Sequence, residues 1–427
     1  MVAAFGCKVS RIEARAEAAA LDATALGRRV ILVRTCTVTE RADRDVKRTI
    51  RRFRRQRPDA WLVASGCLAE RDPESLARMP EVDLVVGFAR AGEVARLLSD
   101  REAGLLPGKV APARTPERGD PAGEAVFFPD PGRTRAFLKI QDGCERRCAF
   151  CIVPSLRGPE RSVDPVALEN EIRRVGASGV PEVVLAGVHL ANFGKDRGTS
   201  LLSLLRRLDA EPPPCRVRLS SLEPMEAGAE LVDLVATSRA VVPHLHLPLQ
   251  SGCDAVLRRM RRGITASRYR ALALRATRAN PRLHLATDLI AGFPGENPAE
   301  FAETERFVAE LPLASLHVFP FSPRGGTRGA GLHGEHPVAS ADVTRRAARL
   351  RRLGEEKARV FRRSADGTLA DAVVLRGGMV LTDHYLEAAL ETPCPPGSRL
   401  FVRLSATGPA ARLTAVPAPE AGRIPPP

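Results

Sequence analysis

Short apolar runs alternate with longer polar stretches over the first hundred residues of the chain. The runs at 30–33, 61–64 and 82–86 are rich in β-branched residues and have the length of buried strands. The stretches between them have the length of helices. Such alternation is typical of βα units that build a parallel sheet. We therefore predict an α/β domain over residues 1–103.

A segment rich in Gly and Pro at 104–132 marks a linker, after which the alternation of strands and helices resumes. Helical patterns, such as that at 298–311, separate the apolar runs of this second region. The predicted strands are 136–140, 182–186, 216–220, 244–249, 284–290 and 315–320. Strands joined by helices in this way predict an open or partial (β/α)6 barrel. A connecting helix at 345–363 ends this domain, which we place at 133–363.

The chain changes character after residue 363. Apolar runs at 372–375 and 400–404 predict short strands, and the segment 364–417 is too short for a further βα layer. A small β-barrel fits this length and pattern. The last ten residues, 418–427, end in three prolines, and we expect them to be disordered.

The chain carries a formal net charge of +15, which favours a polyanionic partner such as a nucleic acid. Its apolar stretches, for example 30–33, are far shorter than the roughly 20 residues that cross a bilayer. The N-terminus also lacks the basic, apolar and small-residue succession of a signal peptide. We therefore expect a soluble, cytoplasmic protein with no membrane partner.

Cysteine is the most informative residue type in this sequence. The chain has nine cysteines, an odd number that argues for metal binding or catalysis rather than a disulfide framework. Six of them form two sets of three, which we call the loop triad (Cys144, Cys148 and Cys151) and the spaced triad (Cys7, Cys36 and Cys67).

The loop triad places three thiolates four and three residues apart. Such ligands can hold three corners of a [4Fe–4S] cube, whose fourth iron is then open to a small molecule. An open coordination site is typical of a working metal centre. The alternative is a structural zinc loop, although no fourth Cys or His follows at zinc-finger spacing.

The spaced triad repeats at intervals of 29 and 31 residues, and each cysteine ends or follows an apolar run. One βα unit takes about 30 residues, so the spacing predicts that all three lie at the carboxyl ends of successive parallel strands. Open α/β sheets bind their ligands at that edge. Three unrelated buried thiols are the alternative, which leaves the repeated pattern of strand and cysteine unexplained.

The sequence around the loop triad, Ile140-Gln-Asp-Gly-Cys-Glu-Arg-Arg-Cys-Ala-Phe-Cys-Ile-Val-Pro154, closely resembles the radical S-adenosylmethionine (SAM) signature of methylthiotransferases. The resemblance implies two [4Fe–4S] clusters, one on each triad, with SAM on the open iron of the loop cluster. It also implies an α/β fold with a flavodoxin-like N-terminal domain, a central radical SAM barrel and a C-terminal TRAM barrel. The loop cysteines would then be catalytic as well as metal ligands.

The sequence around the spaced triad resembles the auxiliary-cluster motifs of the same family. The segment Thr35-Cys-Thr-Val-Thr39 is most similar to the branch that acts on N6-threonylcarbamoyladenosine in transfer RNA (tRNA). Arg34 stands where that family usually has Asn. The resemblance implies that the enzyme inserts a methylthio group at C2 of this adenosine, at position 37 beside the anticodon. C2 offers no acidic hydrogen and no leaving group, so acid–base catalysis has little to act on.

Further matches to the family follow the predicted strands of the barrel, where barrel enzymes carry their active sites. By this resemblance, Gly187, Glu223, Gln250 and Asp288 are candidate SAM contacts. Glu223 could instead cap the following helix or pair with an arginine. His244 and His246 share one face of a predicted strand, and we assign them no ligand role.

The tail, with Val380-Leu-Thr-Asp-His-Tyr-Leu386, resembles a TRAM domain, a small RNA-binding barrel. An ordinary supporting β-tail is the alternative. The basic run Arg51-Arg-Phe-Arg-Arg55 could also contact RNA, or it could be a solvated helix face. The implied partners are the anticodon stem-loop of a tRNA, a reductant such as flavodoxin or ferredoxin, and a sulfur donor. A non-catalytic, metal-bound RNA-binding protein remains the second hypothesis.

Overall fold

The computed structural model describes residues 1–22, 30–88, 93–106, 108–111, 126–130 and 132–418. The predicted disorder of 418–427 falls almost wholly outside these residues. The strands are β1 Val2–Ala4, β2 Val30–Thr35, β3 Trp61–Gly66, β4 Leu84–Val86, β5 Ala136–Asp142, β6 Arg161–Ser162, β7 Glu182–Gly187, β8 Arg216–Leu219, β9 His244–His246, β10 His284–Ala291, β11 Ser315–Pro320, β12 Leu369–Val374, β13 Met379–Thr382, β14 Glu387–Leu390, β15 Arg399–Thr407 and β16 Arg412–Pro417.

The helices lie between these strands, as the sequence pattern predicts. They are α1 Lys8–Asp22, α2 Glu40–Gln56, α3 Cys67–Arg71, α4 Pro73–Ala77, α5 Val94–Glu102, α6 Val153–Arg157, α7 Pro165–Ala177, α8 Leu201–Ala210, α9 Pro224–Thr237, α10 Asp254–Arg259, α11 Ala266–Ala279, α12 Pro298–Glu310, α13 Arg328–Glu335 and α14 Ser340–Ser364. In the part of the chain that the structure describes, no helix has both the length and the apolar character needed to span a bilayer.

The chain forms two compact units that interleave along the sequence. The first unit comprises Met1–Ala122, Asp142–Arg161 and Ser322–Ala330, and the remaining segments form the second unit. The loop triad therefore lies in the same unit as the spaced triad. The domain boundaries at 103, 133 and 364 stay predictions.

The first unit is built on a parallel sheet with the order β1-β2-β3-β4. Helix α2 packs on one face through Ile50 and Phe53, while Leu21 of α1 and Leu98 of α5 pack on the other face. Strands that are buried on both faces need continuous apolar runs, which explains the sequence pattern. The predicted α/β class is confirmed. The strand order of a flavodoxin sheet begins 2-1-3, which differs from the order of this sheet. The domain is therefore flavodoxin-like in having a parallel sheet with helices on both faces.

The second unit carries the barrel strands as two sheets with the orders β6-β5-β7-β8 and β11-β10-β9. The pairs β5–β7, β7–β8, β9–β10 and β10–β11 are parallel, as a partial (β/α)6 barrel requires. Among the described residues, an isolated parallel β-bridge joins Val217 of β8 to Val241, which precedes β9. The predicted partial barrel is thus confirmed.

The C-terminal residues form a closed barrel with the order β12-β13-β14-β16-β15. Its core is small and aliphatic, with Val374, Val380, Ala388 and Val402 fully or almost fully buried. Closure leaves no exposed strand edge that could pair with another chain. The predicted small β-barrel is confirmed.

A buried carboxylate joins this small barrel to the amino ends of β7 and β8. Glu182 is completely buried and accepts hydrogen bonds of 2.7 to 2.9 Å from Arg135, Arg216 and Arg218. The remaining guanidinium N–H groups of Arg216 and Arg218 donate to main-chain oxygens of the small barrel. These acceptors are the carbonyl groups of Asp371, Leu381, Thr382 and Asp383.

The three arginines also set the charge of this carboxyl group. Burial alone would raise the pKa of Glu182, but the guanidinium groups of Arg218 and Arg216 hold that pKa well below its usual range. A depressed carboxyl pKa contributes stability at neutral pH, and this contribution is lost as the pH falls towards the folded-state pKa. The C-terminal barrel is therefore held to the central barrel by hydrogen bonds from the charged side chains of Arg216 and Arg218.

We predict that Glu182→Gln lowers the free energy of unfolding by about 3 to 5 kcal/mol, because it leaves buried guanidinium groups without a compensating charge. Urea unfolding followed by circular dichroism measures this change. Glu230→Gln is the matched control, since Glu230 pairs with Arg206 on an exposed surface, where such pairs contribute less than about 1 kcal/mol. Equal unfolding midpoints for the two variants would contradict the role of Glu182.

Candidate active site

The spaced triad lies at one edge of the N-terminal sheet, as its spacing predicts. Cys7 follows β1, Cys36 follows β2, and Cys67 begins α3 directly after β3. Since these three strands are parallel neighbours, their carboxyl ends lie side by side. Cys36 and Cys67 are buried and Cys7 is exposed, so the three thiols form a site that opens to the surface on one side.

Close packing and charge show that these three thiols converge. Gly6 has a φ of +92°, and a Cβ at this position would lie only 2.7 Å from Sγ of Cys36. Burial raises the pKa of Cys67 to about 12; the guanidinium group of Arg157 opposes this rise, and the negative charges of Cys36 and Cys7 add to it. Buried thiols in this arrangement favour a cation in place of their protons, which fits a metal cluster.

The hydroxyl group of Thr35 fixes the turn that carries Cys67. It donates a hydrogen bond of 2.7 Å to the carbonyl oxygen of Ser65 and accepts from the amides of Leu68 and Ala69 at 3.1 and 3.2 Å. Thr35 therefore links the end of β2 to the start of α3. Thr39, the last residue of the same motif, caps the N-terminus of α2 by accepting from the amide of Ala42.

A tight main-chain crossing shapes the loop triad. Gly143 has a φ of +74°, and a Cβ at this position would lie 1.8 Å from the carbonyl oxygen of Pro159, so only glycine fits. The next amide, that of Cys144, donates to the carbonyl oxygen of Gly158 at 3.1 Å. At the other end of the loop, the amide of Cys151 donates to the carbonyl oxygen of Cys148 at 3.0 Å.

The loop thiols also fit a metal centre by their charge. Burial raises the pKa of Cys144 to about 12; the amide of Arg146 opposes this rise, and the negative charges of Cys151, Glu160 and Cys148 add to it. Since the negative charges of Cys148 and Cys151 oppose ionisation of Cys144, a positive charge is needed for the three thiols to become thiolates together. An iron–sulfur cluster supplies that charge.

A buried ionic network lies beside both triads in the first unit. Glu13 of α1 accepts from Arg157 at 2.8 and 2.9 Å and from Arg34 at 2.5 Å. Arg157 also donates to Asp142 at 2.8 Å, and Arg34 reaches Glu17 as well. Both arginines are almost completely buried. The arginine at position 34, where the family usually has Asn, is thus compensated by two carboxylates.

The two triads also share an apolar contact. Cys67 packs with Ile152 and Leu156, which follow the loop triad, and with Phe88 at the end of the sheet domain. The guanidinium group of Arg157 lies 4.2 Å from the ring centroid of Phe88. The two cysteine sites are therefore neighbours within one compact unit.

The segment after β11 completes the surroundings of Cys36. Arg324 is 3% exposed and donates to Asp43 at 2.8 Å and to the carbonyl oxygen of Thr37 at 3.4 Å. The amide of Glu40 donates to the hydroxyl of Ser322 at 3.1 Å. The residues at 322–324 thus hold the turn that follows Cys36.

In the second unit, the four predicted SAM contacts have different environments. The space beside Gly187 is filled by Gln141, whose Oε1 would lie 3.0 Å from an added Cβ, so packing within the chain is already tight at this position. Glu223 pairs with Arg262 at 2.6 Å, which confirms the arginine alternative, and its side chain makes no helix-capping hydrogen bond. The SAM-binding roles of both residues stay predictions.

Gln250 and Asp288 are adjacent across the sheet. Gln250 has a φ of +83°, and its amide donates to the carbonyl oxygen of Asp288 at 2.8 Å. A non-glycine residue held at positive φ is strained, and such strain is concentrated at functional sites. Their contact with SAM stays a prediction.

Asp288 also holds two histidines that sequence reasoning did not assign to the site. Its Oδ1 atom lies 2.9 Å from Nε2 of His246 and 3.1 Å from Nδ1 of His317. The available signal was the register of the predicted strands, since all three residues share one face of the sheet. His244, by contrast, stacks on Tyr385 with a centroid separation of 4.4 Å.

Two family models match the chain. The Radical SAM superfamily model matches residues 138–308, and the model described as Uncharacterized protein family UPF0004 matches residues 1–87. The first match contains the loop triad and the second contains the spaced triad. A solved radical SAM methyltransferase, TsrM from Kitasatospora setae, has the same fold over 71% of this chain and 66% of its own, with a TM-score of 0.54 and 16% identity.

Curated relatives match most of the chain. The threonylcarbamoyladenosine tRNA methylthiotransferase MtaB of Aquifex aeolicus is 33% identical over 85% of this chain and 87% of its own length. The tRNA-2-methylthio-N(6)-dimethylallyladenosine synthase of Anaeromyxobacter sp. is 32% identical over 95% of this chain and 91% of its own. The identity and the coverage show that this chain belongs to the radical SAM tRNA methylthiotransferase family.

Proposed function

We propose that this chain converts N6-threonylcarbamoyladenosine at position 37 of tRNA to its 2-methylthio derivative. The observation that carries the proposal is the placement of two cysteine triads as neighbours in one compact unit. A single radical SAM cluster would need only the loop triad. A second set of three converging thiols supports an auxiliary cluster from which sulfur is inserted.

In this proposal Cys144, Cys148 and Cys151 hold the SAM cluster, and Cys7, Cys36 and Cys67 hold the auxiliary cluster. When bound, the two clusters and SAM supply the 5′-deoxyadenosyl radical, the sulfur atom and the methyl group of the reaction. Gly143 fixes where the loop triad begins, and Thr35 fixes the turn of Cys67. These two contacts fix the main chain beside one cysteine of each triad.

The surroundings of the spaced triad exclude water on one side. Cys36 and Cys67 are 3% and 7% exposed, whereas Cys7 is exposed. A protein site that is closed below and open above protects a reactive sulfur and admits a large substrate from one direction. The exposed side at Cys7 is where we expect the nucleotide base to approach.

The threonylcarbamoyl substrate is supported by the relative from Aquifex aeolicus and by the Thr35-Cys-Thr-Val-Thr39 motif. The relative from Anaeromyxobacter is named for a dimethylallyl nucleoside instead, so the experiment must compare the two. The proposed partners also include a reductant such as flavodoxin or ferredoxin and a sulfur donor. A tRNA substrate supports a cytoplasmic location for the enzyme.

We predict that wild-type protein reconstituted with iron and sulfide holds about eight iron atoms, as two [4Fe–4S] clusters require. It should cleave SAM to 5′-deoxyadenosine and methylthiolate a threonylcarbamoyladenosine-containing tRNA. Cys148→Ala should abolish SAM cleavage, because the loop cluster loses one of its three ligands. Cys36→Ala should keep SAM cleavage, lose about half the iron and fail to modify tRNA.

Iron analysis, release of 5′-deoxyadenosine and mass spectrometry of digested tRNA measure these outcomes. Cys394→Ala is the matched control, since Cys394 lies in the C-terminal barrel and in neither triad. Normal tRNA modification by Cys36→Ala would exclude the spaced triad as a cluster site. Modification of the dimethylallyl substrate alone would replace the proposed nucleoside by the other one.

The C-terminal barrel offers a surface for RNA. Leu369, Arg403 and Val416 pair across β12, β15 and β16, and all three side chains are exposed. Arg412 is also exposed on β16. Arginines beside accessible apolar groups on a preformed β-surface suit a folded RNA, whose phosphates attract the cations.

We predict that Arg403→Gln combined with Arg412→Gln weakens tRNA binding and lowers the slope of log affinity against log salt by about 1 for each phosphate that the variant no longer neutralises. Binding measured across a salt series provides this slope. Arg306→Gln, on the exposed face of α12, is the control and should leave the slope unchanged. An unchanged slope in the double variant would assign the RNA surface to another part of the chain.

A further inference from the structure

The inner face of the second sheet of the partial barrel carries a cluster of two histidines and one aspartate. Asp288 of β10 pairs directly with His317 of β11, and Ala286, two residues earlier, pairs with His246 of β9. Residues two apart on a strand share a face. His246, Asp288 and His317 therefore lie together on one side of the sheet, which we call the histidine cluster.

The hydrogen bonds of the histidine cluster leave one ring nitrogen available. An ionised carboxylate only accepts, so both imidazole rings donate to Oδ1 of Asp288, His246 through Nε2 and His317 through Nδ1. Nδ1 of His246 lies 2.7 Å from the hydroxyl of Ser221. Among the described residues, no hydrogen bond to Nε2 of His317 is found.

Asp288 is a fixed negative charge beneath these rings. Burial would raise its pKa, but the hydrogen bonds from His246 and His317 hold that pKa well below its usual range. Nδ1 of His317 keeps its hydrogen bond of 3.1 Å to Asp288 when a second acceptor lies at Nε2, and such an acceptor would bind together with a proton, since an imidazole that donates from both nitrogens carries a hydrogen on each. With such an acceptor in place, the cluster presents an N–H group on the side of the ring away from Asp288.

This face of the sheet is accessible to a ligand. The side chain of His317 is 55% exposed, against 12% for His246 and 19% for Asp288. Phe319, two residues later on the same face, is 45% exposed. The opposite face of β11 is covered by α14, since a Cβ at Gly354 would lie 3.1 Å from Cβ of Leu316. The inner face of this edge strand thus offers an exposed imidazole nitrogen beside an accessible aromatic ring.

A metal ion is the other ligand that two histidines and an aspartate can bind. The three ligand atoms lie within 4.8 Å of one another, as a metal site requires. Metal binding, however, would require both imidazole nitrogens to give up the hydrogens that they donate to Asp288. Both existing hydrogen bonds go to Oδ1 of Asp288, and Nε2 of His317 takes part in neither.

We propose that Nε2 of His317 donates a charged hydrogen bond to the carboxylate of the threonylcarbamoyl group, with Phe319 beside the base. This assignment rests on the proposed function, because it takes its ligand from that nucleoside. A dimethylallyl group has no anion and cannot use this donor. A site built to hydrogen-bond a substrate group rejects analogues that lack it, because its own polar atom then stays unpaired. His317 is thus a residue that determines substrate specificity.

The test uses the reconstituted full-length protein and two anticodon stem-loop RNAs. One RNA carries threonylcarbamoyladenosine, and the other carries its methyl ester, which removes the negative charge and keeps the shape. For wild type, kcat/KM for the acid should exceed that for the ester by about 10- to 100-fold, the range expected for a hydrogen bond to a charged group. His317→Phe should lose this preference by slowing the reaction of the acid.

Iron content should be unchanged in His317→Phe, which separates recognition from cluster assembly. His336→Phe, at an exposed position outside the cluster, is the control and should keep the preference for the acid. The acid-to-ester ratio of the wild type is itself a test that needs no variant.

The outcomes separate this inference from the proposed function. If wild type modifies both RNAs equally, or if His317→Phe keeps the preference, the role of His317 is wrong while the function stands. If wild type modifies neither RNA, the proposed function is wrong and the assignment of His317 is wrong with it. A metal ion beyond the clusters that is lost in His317→Phe would replace the carboxylate site by a metal site.

Discussion

The carboxylate of Glu13 fixes the relation between the two cysteine triads, because it accepts hydrogen bonds from Arg34 and Arg157 at the same time. Arg34 belongs to the end of β2, and Arg157 ends the helix that follows the loop triad. All three side chains are buried or nearly so, and a buried ion pair tolerates little change in geometry. Burial raises the pKa of Cys67, and the positive charges of both arginines act against this rise. Glu13 of α1 thereby holds Arg34 and Arg157 in position and also balances their charge.

The sequence predicted the strands and the cysteine sites well for a physical reason. Strands buried on both faces of a parallel sheet are largely apolar, so the first four residues of β2 and of β3 appear as apolar runs in the sequence. The repeat length of a βα unit then sets where each run ends, which places Cys36 and Cys67 at the same edge. The contact between Cys67 and Leu156, by contrast, joins residues almost ninety positions apart and follows no local pattern.

Charged residues within strands were the least predictable feature. Arg34, Arg216 and Arg218 interrupt apolar runs, and a local pattern would place them on a solvent-exposed face. They are buried because Glu13 and Glu182, which are distant in sequence, supply the opposite charge. The role of His317 was hidden for the same reason, since only the pairing of β10 with β11 brings it to Asp288. Local composition cannot show which distant partner makes burial of a polar group favourable.

In the second unit, the ion pairs of Glu182 and the histidine cluster lie towards opposite ends of the strands. Glu182 and Arg216 begin β7 and β8, whereas Asp288 and His317 lie further along β10 and β11 towards the carboxyl edge. The exposed inner face of β11 bears little of the packing that holds the unit together, because its other face meets α14. Substitutions on this inner face can accumulate during evolution without a large loss of folding stability. A few substitutions in one edge strand are therefore enough for a lineage to change the nucleoside that it modifies. Glu182, Arg216 and Arg218 meanwhile continue to stabilise the fold.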